Sequence, residues 1–264
     1  MPPSAPITAS TRGVVSPRHR WLPRQHGAWA MLLVPLLVGV AASRPDPWHL
    51  VLAGAALAAY LASASVQAWT RARRPRTYRA PIVAYGGLFA ILGLTLVVAF
   101  PALLLTLVVA GPAAFVVLGG ARPGTRRDLA NSLAQVAQAL VLVPAAACVS
   151  GGFEVEPVVA ATAVAAGYLV GTVLVVRSVL RERGNEAFAA LSVGFHVVLI
   201  ALALALLPPA YAVVAAALAL RALALPILGR RLAAGPRPLR PIHVGLIEIA
   251  ASVAIVAVAF LAPP

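Results

Sequence analysis

The chain has 264 residues, of which 61% are hydrophobic and only 11% are charged. Its mean hydropathy is +0.94, whereas a soluble domain is about 45–50% apolar and about 25% charged. This composition excludes a soluble globular protein. It predicts an all-α, polytopic transmembrane helical bundle, since one helical crossing needs roughly 20 apolar residues.

The net charge is +14, from 21 arginines, no lysine and seven acidic residues. A chain this basic could bind nucleic acid. Its arginines, however, occupy short segments between apolar runs, where basic residues set membrane topology and attract anionic headgroups. We therefore expect the lipid bilayer and anionic lipids as partners and no nucleic acid. Protein partners are not predicted.

Residues 1–24 are rich in proline, serine and arginine and contain no apolar run. They predict a disordered basic cytoplasmic tail rather than a cleaved signal peptide. Residues 25–264 are predicted to form a single transmembrane helical domain.

Nine apolar runs, separated by proline, glycine or arginine-rich breaks, predict nine membrane-spanning helices. They lie at residues 28–43, 49–69, 80–99, 101–119, 129–150, 157–179, 187–207, 209–229 and 242–262. Internal prolines are expected to kink four of these helices. These prolines are Pro35, Pro112, Pro144 and Pro226.

The positions of the arginines support this helix count independently of hydropathy. All but two arginines precede the first run or lie at or beyond the end of the second, fourth, sixth or eighth; the exceptions are Arg44 and Arg221. A wrong count would disrupt this alternation. The positive-inside rule therefore predicts a cytoplasmic N-terminus and an external C-terminus. The absence of lysine, together with abundant alanine and arginine, indicates a high-GC bacterial genome, so the predicted location is the inner (cytoplasmic) membrane of a bacterium.

The fifth run carries a polar stripe, because Asp128, Asn131, Gln135 and Gln138 recur at helical spacing on one face. Amides inside a membrane form hydrogen bonds between helices or line a cavity. Both interpretations remain open at this point.

Polar residues also mark the cytoplasmic ends of the second and sixth runs, with Gln67 and Arg71 at one and Arg177 and Arg181 at the other. One interpretation is that they only set topology. The alternative is that the two ends converge, in which case the guanidinium groups form a cluster suited to phosphate or carboxylate.

The entrance of the first run reads Arg24-Gln25-His26, followed by glycine, alanine and tryptophan. This unusual segment either caps and anchors the helix or contacts a ligand at the cytoplasmic mouth. Both roles are kept as alternatives.

Two ionisable residues lie well inside the predicted spans. Glu248 in the last run and Arg221 in the eighth are expected at similar depth, so they predict an intramembrane ion pair with a structural or a relay role. His196 in the seventh run is expected to be neutral and hydrogen-bonded to a neighbour. Metal-ligand spacings, phosphate-binding loops and serine-hydrolase motifs are absent from the sequence, so no metal and no cofactor is predicted.

Three segments together resemble the YwiC-like family of bacterial membrane proteins over most of the chain. They are Arg24-Gln25-His26-Gly27-Ala28-Trp29-Ala30-Met31, Trp69-Thr70-Arg71-Ala72-Arg73-Arg74, and Tyr78-Arg79-Ala80-Pro81 ahead of Tyr85-Gly86. The resemblance implies a multi-pass membrane protein and brings no biochemical activity with it.

The predicted architecture is also similar to that of the UbiA-type prenyltransferase superfamily, which has nine helices and a cytoplasmic N-terminus. In that superfamily, aspartate-rich motifs on the second and sixth helices bind Mg²⁺ and a prenyl diphosphate. The corresponding stretches here, 63–71 and 177–183, carry amide, hydroxyl and guanidinium groups instead of aspartates. A Mg²⁺-dependent reaction is therefore not implied, because Mg²⁺ requires oxygen ligands and arginine repels it.

The function predicted from these features is binding or translocation of an anionic or amphipathic small molecule, such as an isoprenoid, at an Arg-rich cytoplasmic-facing cavity. This prediction favours a protein that is not an enzyme. One alternative is a degenerate or metal-independent UbiA-like prenyl or lipid transferase. Another is a non-catalytic subunit or assembly factor of a membrane complex. The working hypothesis places Arg71, Arg177 and Arg181 in one cavity with His26 and the polar stripe.

Overall fold

The computed structural model describes residues 21–22, 27–72, 75–120, 129–233 and 241–264. Within these ranges the secondary structure is helical, with no strand. The α-helices are α1 (Gly27–Ala41), α2 (Trp48–Arg71), α3 (Arg79–Ala99), α4 (Leu107–Gly119), α5 (Leu129–Leu140), α6 (Leu142–Val149), α7 (Val155–Leu180), α8 (Glu186–Leu206), α9 (Pro209–Ala233) and α10 (Pro241–Leu261). Short 3₁₀ helices precede α3 and α4, at Pro75–Tyr78 and Pro101–Thr106.

Eight helical stretches in the described ranges are long and apolar enough to cross a membrane. The first apolar run corresponds to the shorter helix α1. The nine runs coincide with the observed helical stretches to within a few residues at each end. The prediction of an all-helical, multi-pass membrane protein is therefore confirmed. The predicted tail, residues 1–24, lies outside the described residues apart from Trp21 and Leu22.

Two of the predicted spans are not single continuous α-helices. The fourth begins as the 3₁₀ helix Pro101–Thr106, and the fifth is divided at Val141 into α5 and α6. Pro144 accounts for the second break, because it lacks the N–H that the carbonyl of Leu140 would accept in a continuous helix. At the other three internal prolines the helix continues without interruption.

Helix α7 is the centre of the bundle. It is the most deeply buried of the candidate spans, and it contacts α1, α5, α6, α8, α9 and α10. Ala161 and Ala165 are fully buried on it, next to Tyr168 and Leu169. Small residues let membrane helices approach closely, so α7 can hold neighbours on all sides.

Helix α3 belongs to the least buried of the candidate spans. It packs mainly against α2, and apolar side chains such as Val83, Ile91 and Val98 are more than half exposed. In a membrane protein such a surface faces lipid tails, which are as apolar as the side chains. The polar groups that need explanation therefore lie elsewhere, around α7.

The N-terminal end of α2 is held by a buried histidine. His49 Nε2 lies 3.0 Å from the carbonyl oxygen of Ala146 on α6, and its Nδ1 accepts from the backbone N–H of Asp46 at 2.9 Å. These partners assign the proton to Nε2. The Asp46 carboxylate in turn accepts from the backbone N–H of Trp48 at 2.8 Å, at the start of α2.

We expect His49→Ala to lower the free energy of unfolding by about 1–3 kcal/mol, because it removes the side-chain donor to the buried Ala146 carbonyl. Reversible unfolding in mixed micelles measures this. Arg44→Ala, in the same loop but exposed, is the matched control and should change stability by less than about 0.5 kcal/mol. Equal effects of the two substitutions would show that the His49 contact is not stabilising.

Candidate functional site

A buried ion pair joins α9 to α10. Arg221 Nη1 donates to Glu248 Oε2 at 2.6 Å, and each residue is only 8% exposed. Arg221 is at the midpoint of α9, roughly 18 Å along the helix from either end at about 1.5 Å per residue. Charged groups at such depth are costly in a membrane and characteristically functional.

Hydroxyl groups extend this pair to α7. Thr172 Oγ1 donates to Glu248 Oε2 at 3.0 Å. The Tyr168 hydroxyl lies 2.7 Å from Ser252 Oγ and 3.2 Å from the carbonyl oxygen of Glu248. We call Tyr168, Thr172, Arg221, Glu248 and Ser252 the intramembrane polar cluster. It joins α7, α9 and α10 at one level of the bundle.

The pair leaves part of its hydrogen-bonding capacity unused. Arg221 Nε and Nη2 and Glu248 Oε1 are buried and have no hydrogen-bond partner among the described residues. Nε and Nη2 together form one edge of the guanidinium group. Such an edge can bind a carboxylate or phosphate through two parallel N–H···O hydrogen bonds. Glu248 instead occupies Nη1. The cluster therefore has two donors available for an anion and one acceptor available for a proton.

A buried imidazole also packs against α7. His196 on α8 is fully buried, and its Nδ1 is 2.7 Å from the carbonyl oxygen of Ser192. That contact assigns the proton to Nδ1. Its Nε2 is then unprotonated and can only accept a hydrogen bond. This atom is buried and has no hydrogen-bond partner in the described part of the chain. The ring packs against Gly171, whose neighbour Thr172 bonds Glu248.

Gly171→Ala should lower the free energy of unfolding by about 1–3 kcal/mol, because the added Cβ would lie 2.9 Å from His196 Nε2. The double variant Gly171→Ala/His196→Ala should lose less stability than the sum of the two single variants, since the smaller residue gives the methyl group room. Thermal unfolding of the four proteins in detergent measures the coupling. Strict additivity would contradict this packing.

The polar stripe of the fifth run is only partly buried. Asn131 is buried, and its Oδ1 lies against Gly120 at the end of α4. Gln135 and Gln138 are half-buried on α5, which contacts α1, α4 and α7. Asp128 lies outside the described residues. Whether the two glutamines line a cavity stays a prediction.

The predicted cytoplasmic groups occupy separate helix ends. Gln67 Nε2 donates to Ser63 Oγ of its own helix at 3.3 Å, and Arg71 is exposed at the end of α2. Arg177 donates to Glu182 at 3.2 Å, and its guanidinium lies 5.9 Å from the ring centroid of Phe188 at the start of α8.

Arg181 is exposed just beyond the end of α7. Helix α1 contacts both α2 and α7. The remaining candidates, Arg24, Gln25 and His26, lie outside the described residues. Convergence of the arginines with His26 in one cavity therefore stays a prediction.

Sequence reasoning named Arg221 and Glu248 but missed the hydroxyls around them. Tyr168 and Thr172 are four residues apart on α7, and Glu248 and Ser252 are four apart on α10, so each pair shares a helix face. That spacing was the available signal. In the described ranges, no group of three or more His, Cys, Asp or Glu side chains is close enough to hold a metal ion.

Comparison with known proteins agrees with the resemblance seen in the sequence. The YwiC-like protein family matches residues 22–147, which end within α6. The chain is also 31% identical over 187 residues to the uncharacterized protein YwiC of Bacillus subtilis (strain 168), a match covering 67% of this chain and 74% of that relative. No solved structure matches the chain. The chain therefore belongs to the YwiC-like family.

Proposed function

We propose that the protein binds and translocates a small anionic or amphipathic molecule, and that the intramembrane polar cluster is where the anion binds within the membrane. The observation that carries this proposal is the buried Nε–Nη2 edge of Arg221, which has no partner in the described chain. A purely structural ion pair would leave fewer buried donors unused, because each costs about 1–3 kcal/mol.

The chemistry of this edge favours carboxylate or phosphate. Its two parallel N–H donors match two oxygens of either group, and arginine stays charged even in an apolar environment. The surrounding side chains of α7 and α9, including Val175, Ala222 and Leu225, are buried and apolar. They would accept the hydrocarbon portion of an amphipathic ligand.

The arginines at the cytoplasmic helix ends support the same proposal. Arg71 and Arg181 are exposed there, and Arg177 lies one turn before the end of α7. A cluster of like charge raises the local concentration of oppositely charged ligands. We infer that this Arg-rich surface collects the anion and that the protein works in the cytoplasmic membrane of a bacterium, as the arginine topology and the Bacillus relative support.

Uptake by proteoliposomes tests the proposal. The probes are radiolabelled inorganic phosphate, succinate and geranyl diphosphate, which represent small, dicarboxylic and amphipathic isoprenoid anions. The informative variant is Arg221→Met/Glu248→Leu, because replacing both partners of a buried pair with apolar residues is often neutral or stabilising. Arg230→Ala, whose exposed partner is Glu186, is the matched control on the same helix.

We expect saturable uptake of at least one probe by wild type and by Arg230→Ala, and uptake at the level of empty liposomes for the double variant. Uptake of none of the three probes would contradict translocation. Equal uptake by the double variant would contradict the placement of the anion at Arg221. Conversion of geranyl diphosphate into a new product, detected by mass spectrometry of the lipid fraction, would favour the prenyltransferase alternative.

A further inference from the structure

We infer that Glu248 is a proton-binding site and that the protein moves a proton together with the anion. This inference rests on the proposed function, because it describes what the second member of the pair does when an anion reaches the first. The geometry that carries it is the buried Glu248 Oε1, which has no hydrogen-bond partner in the described chain and belongs to the same ion pair as the unpartnered Nε and Nη2 of Arg221.

Charges inside the bundle must balance because the surrounding medium has a low dielectric constant. Within the described helices, Arg221 and Glu248 are the only arginine and the only carboxylate at least seven residues from both helix ends. When both are ionised, the charges of this pair cancel. An anion bound to the Nε–Nη2 edge would leave two negative charges against one positive charge. Uncompensated charge inside a membrane is costly, and a proton on Glu248 Oε1 removes the excess.

The step makes and breaks no covalent bond other than an O–H bond. A proton from the aqueous phase binds Oε1, the neutral carboxyl group remains beside Arg221, and the guanidinium charge then balances the anion alone. When the anion leaves, Glu248 returns its proton to water and resumes the contact with Nη1. A monoanion is thus carried without net charge movement.

The groups facing Glu248 on every packed element are compatible with this exchange. Helix α7 presents Thr172 and Tyr168, α9 presents Arg221, and α10 itself presents Ser252. Helix α1 also packs against α10, and residues 27–41 include no titratable side chain. Glu248 is therefore the sole carboxylate at this level in the described structure.

His196 is the second proton acceptor nearby, so the test must separate it from Glu248. Its bare Nε2 faces Gly171 rather than the carboxylate. A histidine and a carboxyl group are distinguishable by infrared spectroscopy, since only a protonated carboxyl group gives a high-frequency C=O stretching band. The chain has seven acidic residues, and substitution of Glu248 identifies its contribution.

The experiment compares infrared spectra of the full chain in nanodiscs at neutral pH. Removal of the counter-ion by Arg221→Met should produce a protonated-carboxyl band that wild type lacks. The band should disappear in Arg221→Met/Glu248→Gln and remain in Arg221→Met/His196→Gln. If folded Arg221→Met shows no such band, Glu248 does not take up a proton on losing Arg221, and the inference is overturned without affecting the proposed function.

A transport measurement covers the case in which Arg221→Met does not fold. Proteoliposomes containing a trapped pH indicator are given whichever of the three probes wild type accumulates. We expect the interior to acidify in step with uptake for wild type, and no acidification for Glu248→Gln. Anion uptake by wild type without acidification overturns the inference alone. Absence of uptake overturns the proposed function and the coupling together.

Discussion

Arg221→Met is expected to lower the free energy of unfolding by about 3–5 kcal/mol, the cost of removing one partner of a buried ion pair. Glu248 then keeps its position between Thr172 and the backbone of α10 without the cation 2.6 Å away. Reversible unfolding in mixed micelles, followed by circular dichroism, gives the difference from wild type.

Two variants show whether this loss comes from the unpaired carboxyl group of Glu248. Arg221→Met/Glu248→Leu should recover most of the stability, because neither member of the buried pair remains. Arg230→Ala breaks an exposed pair with Glu186 on the same helix and should cost no more than about 1 kcal/mol. A double variant as unstable as Arg221→Met would mean that side-chain packing, rather than the unpaired carboxyl group, determines the loss.

Gly39→Ala should separate α1 from α6 and lower the free energy of unfolding by about 1–3 kcal/mol or more. The added Cβ would lie 2.8 Å from the carbonyl oxygen of Val143 and 2.9 Å from the Cβ of Ala146. Backbone and Cβ atoms cannot rotate out of the way, unlike the end of a flexible side chain. Chemical unfolding of the purified protein measures the loss.

Gly87→Ala on α3 is the control for helix propensity. Its added Cβ would meet nothing within 4 Å, and alanine is the better helix former by about 1 kcal/mol. It should therefore leave stability unchanged or raise it. If Gly39→Ala were equally harmless, the close approach of α1 and α6 would be wrong.

The helical framework could be predicted from the sequence because membrane physics leaves few choices. A crossing needs a fixed length of apolar residues, and arginines mark alternate ends. The contact between Arg221 and Glu248 was foreseeable for a similar reason. They are opposite charges at matching depth, and neither has another charged residue near it in its run.

Details that depend on helix rotation could not be predicted. Alanine, valine and leucine occur on all faces of these helices, so the sequence does not indicate which residues of neighbouring helices meet. The contact of Gly171 with His196, the use of Nη1 rather than the Nε–Nη2 edge of Arg221, and the pairing of Arg177 with Glu182 all depend on packing. The division of the fifth span at Val141 was foreseeable only as a kink at Pro144.

Native mass spectrometry tests most directly whether an anion binds at Arg221. Purified wild type, Arg221→Met/Glu248→Leu and Arg177→Ala/Arg181→Ala are each mixed with inorganic phosphate, succinate or geranyl diphosphate, and the mass of the bound species is measured. We expect an adduct on wild type and on Arg177→Ala/Arg181→Ala. The same adduct should be absent from Arg221→Met/Glu248→Leu. An adduct that persists without Arg221 and Glu248, or no adduct on wild type, would contradict an anion site at the intramembrane polar cluster.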